Sequence, residues 1–253
     1  MNVYSTKEIL GSKMVLINAD GGVSKQLLKF GIREIGATKE TEKILKPDWT
    51  VIDIGANLGY YALLEARRCK FVYAIEPVEE NIKVFKESIK LNGYKNIKVY
   101  QCAIGAENNY EEMTITYKSN CGSLVKKSRN KKLIKEKRKV KVITLNDFCK
   151  RTKLTKIDFI RMDVEGYEVE IIKGMDKVIK LMPKGSMLSI EIHPKAYPPP
   201  HKQVMEMLDT VEFYGFKVRK LMIADDVRAV ESFSKLKAMF DNRYCPQVFF
   251  ERS

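Results

Sequence analysis

The sequence predicts an α/β fold with a seven-stranded, mostly parallel sheet and helices on both of its faces. After about residue 38, short runs rich in β-branched and aromatic residues alternate with helical patterns, and such alternation indicates parallel strands joined by helices. The chain has 253 residues, of which 45% are hydrophobic, so one α/β domain with a substantial core is possible. We divide it into an N-terminal cap, residues 1–37, and an α/β domain, residues 38–253.

The predicted strands are short and apolar, and most of them are followed by a helical pattern. The seven strands are Thr50–Ile54, Phe71–Ile75, Ile97–Ala103, Lys156–Asp163, Met187–His193, Phe216–Ile223 and Gln247–Glu251. The helices are Thr38–Leu45, Leu58–Arg67, Glu79–Leu91, Tyr167–Ile179, Gln203–Tyr214 and Glu231–Phe240. Open sheets of this kind bind ligands beyond the carboxyl ends of their strands, so we expect the functional residues there.

Three segments outside this alternation have patterns of their own. Residues 1–37 predict a small hairpin-like β cap, with the "DGG" of Asp20–Gly22 as its turn. Met113–Tyr117 and Val140–Leu145 predict a pair of strands that brackets a basic run and is inserted beside the main sheet. The stretch "HPKAYPPPH", His193–His201, contains four prolines and predicts a loop at the end of a strand.

The net charge of +14 is concentrated in one segment. Lys126–Lys141 contains ten Lys or Arg residues and one Glu, so an anionic partner such as nucleic acid is one interpretation. A solvated, lysine-rich surface segment is the alternative. The segment lacks the interleaved aromatic residues that would stack on bases, and this favours the alternative.

Cysteine spacing and hydropathy restrict the class of protein. The five cysteines are scattered, without a C-x-x-C pair, so the sequence predicts neither a zinc site nor a disulfide framework. No apolar run approaches the ~20 residues that cross a bilayer, and the first twenty residues lack the apolar segment of a signal peptide. We expect a soluble, cytoplasmic protein without a membrane partner.

The stretch "TVIDIGANLGYYAL" predicts a buried strand, a tight glycine turn and the start of a helix. Gly55 and Gly59 let the backbone turn sharply and approach a ligand, and Asp53 ends the strand. Glu76 ends the next strand, at the place where nucleotide-binding α/β folds carry an acid that binds ribose hydroxyls. NAD is disfavoured, because its G-x-G-x-x-G fingerprint would place a glycine at Asn57, where there is none.

The stretch "RMDVEGYE" places three carboxylates, those of Asp163, Glu165 and Glu168, where a buried strand ends. Charged groups near a core are costly unless they are paired or used. Glu165 and Glu168 open the following helix, whose dipole favours anions there, so Glu168 is also explained as a first-turn acid. At the end of the next strand, His193 beside Glu191 is either a base or a loop histidine that caps backbone groups.

Several motifs together resemble a known family. The spacing D-x-G-x-N-x-G resembles the first motif of class I S-adenosylmethionine methyltransferases, with asparagine in place of the middle glycine. "KIDFIRMDVEGYEVEIIKGM", Lys156–Met175, resembles the signature of the FkbM-type methyltransferases. The stretches "AIEPVEEN", "AIG", "ITLNDF" and "SIEIHP" resemble that family in the same order, so the resemblance covers roughly Thr38 to Pro194.

The resemblance implies a Rossmann-like class I methyltransferase fold, S-adenosylmethionine as cofactor and, usually, O-methylation of a sugar or other hydroxylated small molecule. It implies that the cofactor lies near the glycine turn, the acid of the second strand and the end of the third. The cofactor-binding candidates are Asp53, Gly55, Asn57, Gly59, Glu76, Pro77, Gln101, Cys102 and Ala103.

Methyl transfer to a hydroxyl is helped by a positioned base, because a hydroxyl is a poor nucleophile until its proton leaves. We predict that Asp163 organises the site and that His193 is the base, with Glu165 and Glu191 as further catalytic candidates. These four residues also offer oxygen and imidazole ligands that suit Mg²⁺ or Mn²⁺. A metal ion is the less favoured of the two interpretations.

Two rival functions stay open. The first is an RNA methyltransferase that binds phosphates through Lys126–Lys141. Enzymes that methylate the amines of bases commonly carry N/D-P-P-Y/F at the tip of the fourth strand, and this chain has an acidic tip instead. This argues against methylation of an amine but not against methylation of a ribose hydroxyl. The second is a non-catalytic relative that binds a nucleoside. It ranks last, because the acids of the fourth and fifth strands are both present.

Overall fold

The computed structural model describes residues 3–125, 134–197, 199, 201–223, 226–240 and 244–253. Its strands are β1 (Tyr4–Ile9), β2 (Ser12–Ile17), β3 (Thr50–Ile54), β4 (Phe71–Ile75), β5 (Ile97–Tyr100), β6 (Ala103–Gly105), β7 (Asn109–Thr116), β8 (Ile134–Thr144), β9 (Phe159–Met162), β10 (Met187–Glu191), β11 (Phe216–Ile223), β12 (Asp226–Ala229) and β13 (Gln247–Arg252). Its helices are α1 (Val23–Phe30), α2 (Ile35–Ile44), α3 (Tyr60–Arg68), α4 (Glu79–Asn92), α5 (Leu145–Thr152), α6 (Glu168–Lys173), α7 (Lys202–Phe213) and α8 (Phe233–Ala238). Short 3-10 turns cover Ser119–Cys121, Val178–Leu181 and Pro194–Ala196.

The main sheet has the order β12-β11-β13-β10-β9-β3-β4-β5. The five strands from β10 to β5 run parallel, and β13 runs antiparallel between β10 and β11. All seven predicted strands contribute to this sheet, and the antiparallel edge strand β12 is an eighth. The mostly parallel α/β architecture is confirmed.

The N-terminal hairpin forms, but its predicted turn is wrong. β1 pairs with β2 through the two-residue loop Leu10-Gly11, in which both residues have positive φ. Such a loop fits the right-handed twist of a hairpin. Asp20–Gly22 instead leads from β2 into α1, where the Asp20 carboxylate accepts hydrogen bonds from the Gly22 and Ser24 amides.

Several predicted elements are longer than the observed ones, including Lys156–Asp163, of which β9 covers only Phe159–Met162. The predicted strand Ile97–Ala103 is divided at Gln101, because β5 belongs to the main sheet while β6 pairs with β8. β6, β8 and β7 form a separate three-stranded sheet, which confirms the insertion beside the main sheet. The helix predicted to reach Ile179 ends at Lys173, and Gly174 follows it at a place where a Cβ would overlap the Gly105 carbonyl.

The buried side chains cover both faces of the main sheet. One cluster includes Ile52, Ile160 and Leu188 and packs against α5–α8; the other includes Val51 and Phe159 and packs against α3, α4 and the hairpin. Because β3, β4, β9 and β10 run parallel, their carboxyl ends meet at one edge of the sheet, and the site lies above this edge. In the part of the chain that the structure describes, no helix is long and apolar enough to cross a membrane.

Candidate active site

The glycine turn after β3 is formed by three residues with positive φ. Gly55 has φ 84°, Asn57 53° and Gly59 88°. A Cβ at Gly55 would overlap the carbonyl of Asp163, and one at Gly59 would overlap the ring of Phe85. Asparagine tolerates the left-handed conformation better than most residues, which explains its presence at the middle position.

A cavity with about 920 Å³ of empty space, part of it open to solvent, lies above this turn. Three groups of residues line it: the turn and strand ends of the main sheet, the segment before α2, and the loop between β7 and β8. The polar residues, turn residues and strand-end residues of this lining include Arg33, Glu34, Gly55, Asn57, Glu76, Pro77, Cys102, Ala103, Ser119, Arg161, Asp163 and Glu165.

Glu76 is buried at the end of β4 and is held from three directions. Its carboxylate accepts hydrogen bonds from the amides of Asn57 (2.9 Å) and Val78 (2.9 Å) and from the Asn81 side chain (3.2 Å). Burial raises the pKa of Glu76 to about 7, although these hydrogen bonds act in the opposite direction. Each oxygen keeps acceptor capacity, so the residue fits the predicted contact with ribose hydroxyls.

The predicted adenine-side residues divide into two sets. Cys102 and Ala103 line the cavity, as does Pro77, together with the apolar side chains of Ile75 and Ile104. Gln101 does not line it; this side chain is exposed and lines a separate cleft on the other side of Cys102. A glycine cradle, a buried acid and apolar walls fit a nucleoside cofactor.

Asp53 lies beneath the cavity rather than in its lining. It is fully buried, and one carboxylate oxygen is 3.2 Å from the Arg161 guanidinium, while the other has no hydrogen-bond partner among the described residues. Burial raises the pKa of Asp53, and Arg161 partly offsets this. Its predicted contact with the cofactor stays a prediction. Glu65, also fully buried beside it, has a pKa raised well above its usual value by burial and by Asp53.

Asp163 follows β9 and lines the cavity opposite the glycine turn. Its carboxylate is 3.3 Å from Arg161, and its side chain is 22% exposed. Burial alone would raise the pKa of Asp163, but the positive charges of Arg161 and His193 outweigh it, so the pKa lies below its usual value. A carboxylate that stays ionised therefore faces the space beyond the predicted cofactor position.

His193 lies behind this wall among three carboxylates. Nδ1 is 2.7 Å from Glu168, and Nε2 is 3.6 Å from Glu165 and 3.9 Å from Glu191. Burial would lower the pKa of His193, but these carboxylates, Glu168 first, raise it well above its usual value. Burial and Asp163 raise the pKa of Glu191 well above its usual value. The structure thus brings together all four predicted catalytic residues, with His193 only 2% exposed.

Glu168 contributes more than a first-turn acid would. It is fully buried, and the oxygen that binds His193 also accepts a hydrogen bond from the Gly166 amide at 3.0 Å. It therefore fixes both the loop after β9 and the orientation of the imidazole. From the sequence alone, Glu168 is explained as an acid at a helix terminus. Its contact with His193 could not be predicted, because the two residues are twenty-five positions apart.

Glu165 is held in a strained backbone conformation. Its φ of 53° is in the left-handed region, which is rare for residues other than glycine and is common at functional sites. Its carbonyl accepts a hydrogen bond from the Ser123 hydroxyl at 2.7 Å, so the loop between β7 and β8 stabilises the conformation. The Glu165 side chain lines the cavity beside Asp163.

The segment before α2 supplies cavity residues that the sequence pattern does not single out. Arg33 forms an ion pair with Glu34 at 2.6 Å, and Glu34 accepts a hydrogen bond from the Tyr61 hydroxyl at 2.9 Å. The Arg161 guanidinium lies 3.7 Å from the centre of the Tyr61 ring, within the range of cation–π contacts. These residues form a polar wall next to Asp163.

The N-terminal segment and the loop between β7 and β8 close the cavity from above. The Asp20 carboxylate accepts hydrogen bonds from the Ser119 amide (2.9 Å) and hydroxyl (2.8 Å). The Asn57 side chain donates to the Ser119 carbonyl at 2.8 Å. We name Asp20, Ser119 and Asn57 the clasp, because they join the cap, the insertion and the glycine turn.

Possible metal ligands occur in the same cluster. One donor atom each from Asp163, Glu165 and His193 lies within 4.8 Å of the others, and the same holds for Glu191, His193 and Cys245. The Nδ1 atom of His193 is engaged by Glu168, and the raised pKa of His193 keeps a proton that a metal ion would have to displace. The donor set thus suits a proton-bearing network better than a cation.

Half of the basic segment, residues 126–133, lies outside the described residues. The other half is in β8, where three of its five cations have partners. Lys137 pairs with Glu112, and Arg138 binds both Glu80 and Glu136. Lys139 lies over the Tyr110 ring.

Comparison with known proteins agrees with this geometry. An uncharacterized RNA methyltransferase of Caldanaerobacter subterraneus is 28% identical over 113 residues, which are 39% of this chain and 25% of that protein. Across five curated relatives, the matched part of this chain spans between 23% and 81% of the relative's own length. These matches cover between 24% and 61% of this chain.

Two solved structures have the same fold. An rRNA methylase from Streptococcus thermophilus superposes with a TM-score of 0.52 at 13% identity, covering 87% of this chain and 97% of that one. A putative methyltransferase from Streptococcus mutans in complex with S-adenosylhomocysteine gives 0.51 at 12% identity, covering 88% and 99%. At such identities the likeness shows the fold alone.

The family match covers more of the chain than the matches to these curated relatives do. Residues 53–218 match the family described as Methyltransferase FkbM domain, a range that runs from Asp53 in β3 to Val218 in β11 and includes every predicted site residue. The chain therefore belongs to the methyltransferase FkbM domain family, which confirms the predicted enzyme class, a methyltransferase, and its predicted cofactor, S-adenosylmethionine.

Proposed function

We propose that the protein transfers a methyl group from S-adenosylmethionine to a hydroxyl oxygen of a small molecule, such as a sugar. One observation carries this proposal: the carboxylates of Asp163 and Glu165 line the same cavity as Gly55 and Glu76. The cap and the loop between β7 and β8 cover that cavity, which favours a compact acceptor. We also propose that the cap, residues 1–37, is a unit that helps to select the acceptor.

The cofactor-binding side is formed by backbone and a buried acid. Gly55 and Asn57 would place the backbone of the turn against the cofactor, Glu76 would accept hydrogen bonds from the ribose hydroxyls, and Cys102 and Ala103 would pack against the base. When bound, S-adenosylmethionine supplies an electrophilic methyl group on a sulfonium whose leaving group is neutral, so no acid is needed. Holding two reactants in line lowers the activation barrier by about 7–11 kcal/mol in ideal cases.

The acceptor side is formed by the acids at the end of β9. The proton of the acceptor hydroxyl passes to a carboxylate that faces the cavity, Asp163 or Glu165, as the oxygen–carbon bond forms. A positioned base contributes about 10²–10⁴-fold to the rate. An acidic wall also accepts hydrogen bonds from neighbouring hydroxyls, which suits a polyhydroxylated acceptor.

We propose that His193 acts through these carboxylates, as a positioning residue. Its Nε2 atom is 3.6 Å from Glu165, and its positive charge is among the causes that lower the pKa of Asp163. Glu168 fixes the ring from behind. The prediction that His193 itself removes the proton is the alternative, and it would require the imidazole to become neutral and reachable.

RNA is the second candidate acceptor, and the names of several matched proteins include RNA methyltransferases. The described part of Lys126–Lys141 supports it weakly, because Lys137 and Arg138 already pair with acids of the same protein. A flexible polynucleotide would also have to enter a cavity closed by the clasp.

A labelling experiment separates these acceptors. S-adenosylmethionine carrying a tritiated methyl group is incubated with the protein and a cell extract, which is then divided into small-molecule, RNA and protein fractions. We expect base-stable label in the small-molecule fraction, and none with the Asp163→Asn variant. Label in RNA would favour the second candidate, and label that is insensitive to Asp163→Asn would contradict the proposed site.

A further inference from the structure

A second cleft lies at the β5 edge of the main sheet, separate from the cofactor cavity. It has about 1010 Å³ of empty space, part of it open to solvent, and shares only the Cys102 wall with that cavity. Its floor is aromatic: Phe71 and Tyr73 on β4, Tyr100 on β5 and Phe148 on α5. The proposed methyl transfer gives these residues no role.

The aromatic floor is continuous and partly accessible. The rings of Tyr73 and Tyr100 are stacked, with centres 6.1 Å apart and an angle of 17° between planes. Phe148 packs edge-on against both and is buried beneath them. Tyr73 and Tyr100 are half-buried, so they offer aromatic surface to a ligand above them.

The rim of this cleft is positively charged. Lys98, Lys141, Arg151 and Lys153 line it, and no Asp or Glu does so among the described residues. All four cations are exposed, and none of them forms an ion pair with another residue in the described part of the chain. Lys98 lies over the Tyr100 ring, with Nζ 5.2 Å from its centre, so a base that stacks on this ring displaces the Lys98 side chain toward the phosphates. They differ in this from Lys137 and Arg138, whose charges are paired.

We propose that this cleft binds single-stranded RNA, with bases stacked on Tyr73 and Tyr100 and phosphates contacting the four rim cations. Base–aromatic stacking beside a positively charged groove is the usual chemistry of single-strand binding, and it tolerates different sequences. The basic segment alone lacks aromatic residues; the fold supplies them by bringing β4 and β5 next to Lys141.

The arrangement fits a polynucleotide better than a single phosphate group. The cations come from three elements around the floor, β5, β8 and α5, with its following residue Lys153, rather than from one loop. Successive phosphates of a chain can contact them separately. This proposal does not depend on the proposed methyl acceptor, since the cleft is outside the catalytic cavity.

The test is fluorescence anisotropy with a labelled ten-nucleotide oligouridylate and the full chain without cofactor. If four phosphates are neutralised, the dissociation constant rises about 50-fold between 50 and 200 mM salt, since the slope per contact for single strands is about 0.7. The double variant Lys98→Glu/Lys153→Glu should bind at least tenfold more weakly, with a shallower salt dependence.

Two matched variants make the outcome specific. Lys184→Glu/Lys217→Glu makes the same change of net charge at exposed positions on the opposite part of the sheet and should change binding less than twofold. Tyr100→Leu removes the stacking ring and its contacts with Tyr73 and Phe148. It should weaken binding several-fold at a temperature at which its circular dichroism spectrum is still that of the folded protein. Equal losses in both charge-reversal variants would overturn the proposal.

The form of the ligand is tested in parallel. A ten-base-pair RNA duplex presents phosphates but no free base faces, so we expect it to bind at least tenfold more weakly than the single strand. Equal affinity for the duplex would reduce the cleft to an unspecific cationic surface and contradict the proposal. Uridine triphosphate binding as tightly as the oligonucleotide would identify a mononucleotide site and overturn the assignment to RNA.

Discussion

The side-chain amide of Asn57 donates a hydrogen bond to the backbone carbonyl of Ser119, at 2.8 Å. Asn57 is in the glycine turn that lines the candidate cavity, and Ser119 is in the loop that covers this cavity. Ser119 is also bound by Asp20 of the N-terminal segment. An asparagine in place of the middle glycine of the motif therefore holds the cover in place.

Replacing Asn57 by glycine restores the more common motif but removes this contact. A net hydrogen bond is worth about 0.5–1.5 kcal/mol, so we expect S-adenosylhomocysteine to dissociate about 2- to 10-fold faster from Asn57→Gly. Stopped-flow fluorescence measures this rate. Tyr117→Ser, at an exposed position of the same loop, is the control, and an unchanged rate in Asn57→Gly would contradict the role of the clasp.

The two carboxylates that contact Arg161 should respond differently to the same change. Asp53 is fully buried, and removing one partner of a buried ion pair is strongly destabilising, so Asp53→Asn should lower the free energy of unfolding by about 3 kcal/mol. Asp163→Asn, at the cavity wall, should lower kcat at least 100-fold with a smaller loss of stability. Urea unfolding and single-turnover rates measure the two effects; the reverse pattern would exchange their roles.

The main sheet is predictable from the sequence because most of its strands are largely buried and appear as apolar runs, such as Phe71–Ile75. The hairpin turn is not, because Leu10-Gly11 adopts a conformation that usually carries Asn-Gly or Asp-Gly. Asp20 resembles a turn residue locally, but its partner Ser119 is ninety-nine residues away.

The site shows the same division between local and distant information. Gly55, Glu76 and Asp163 follow strands and carry recognisable local patterns, and the structure places all three at one cavity. Arg33 and Glu34 lie in a segment without a motif. Their position depends on how the cap packs against the domain, and no spacing rule expresses that packing.

Cofactor affinity should depend on pH through Glu76, whose pKa is raised to about 7. The ionised carboxylate is the better acceptor for ribose hydroxyls, and it is present above that pKa and lost below it. The dissociation constant of S-adenosylhomocysteine should therefore decrease between pH 6 and pH 8, with half of the change near pH 7. Calorimetry at several pH values measures this dissociation constant. Glu76→Gln should bind S-adenosylhomocysteine more weakly and without the pH dependence. A wild-type dissociation constant that does not change with pH would contradict the role of Glu76 in binding the ribose.

His193 should affect the pH profile as well as the rate. Its positive charge helps to lower the pKa of Asp163, so without it that carboxylate is protonated at higher pH. We expect His193→Gln to move the acidic limb of the kcat profile to higher pH and to reduce kcat less than Asp163→Asn does. A base role for His193 predicts instead that the limb disappears and that the loss equals or exceeds that of Asp163→Asn.

Chelation tests the metal interpretation of the same cluster. Because Glu168 engages Nδ1 of His193 and the imidazole keeps its proton, we expect full activity in the presence of EDTA. Loss of activity in EDTA that Mg²⁺ restores would instead assign Asp163 and Glu165 to a cation.

The most direct measurement is calorimetric titration of the full chain with S-adenosylhomocysteine, beside the Glu76→Ala variant. The central claim is that the cavity above Gly55 and Glu76 binds the methyl donor. It predicts saturation at one molecule per chain for the wild type and at least tenfold weaker binding for a variant that keeps its circular dichroism spectrum. No heat of binding in the wild type, or equal affinity in the two proteins, would contradict the claim.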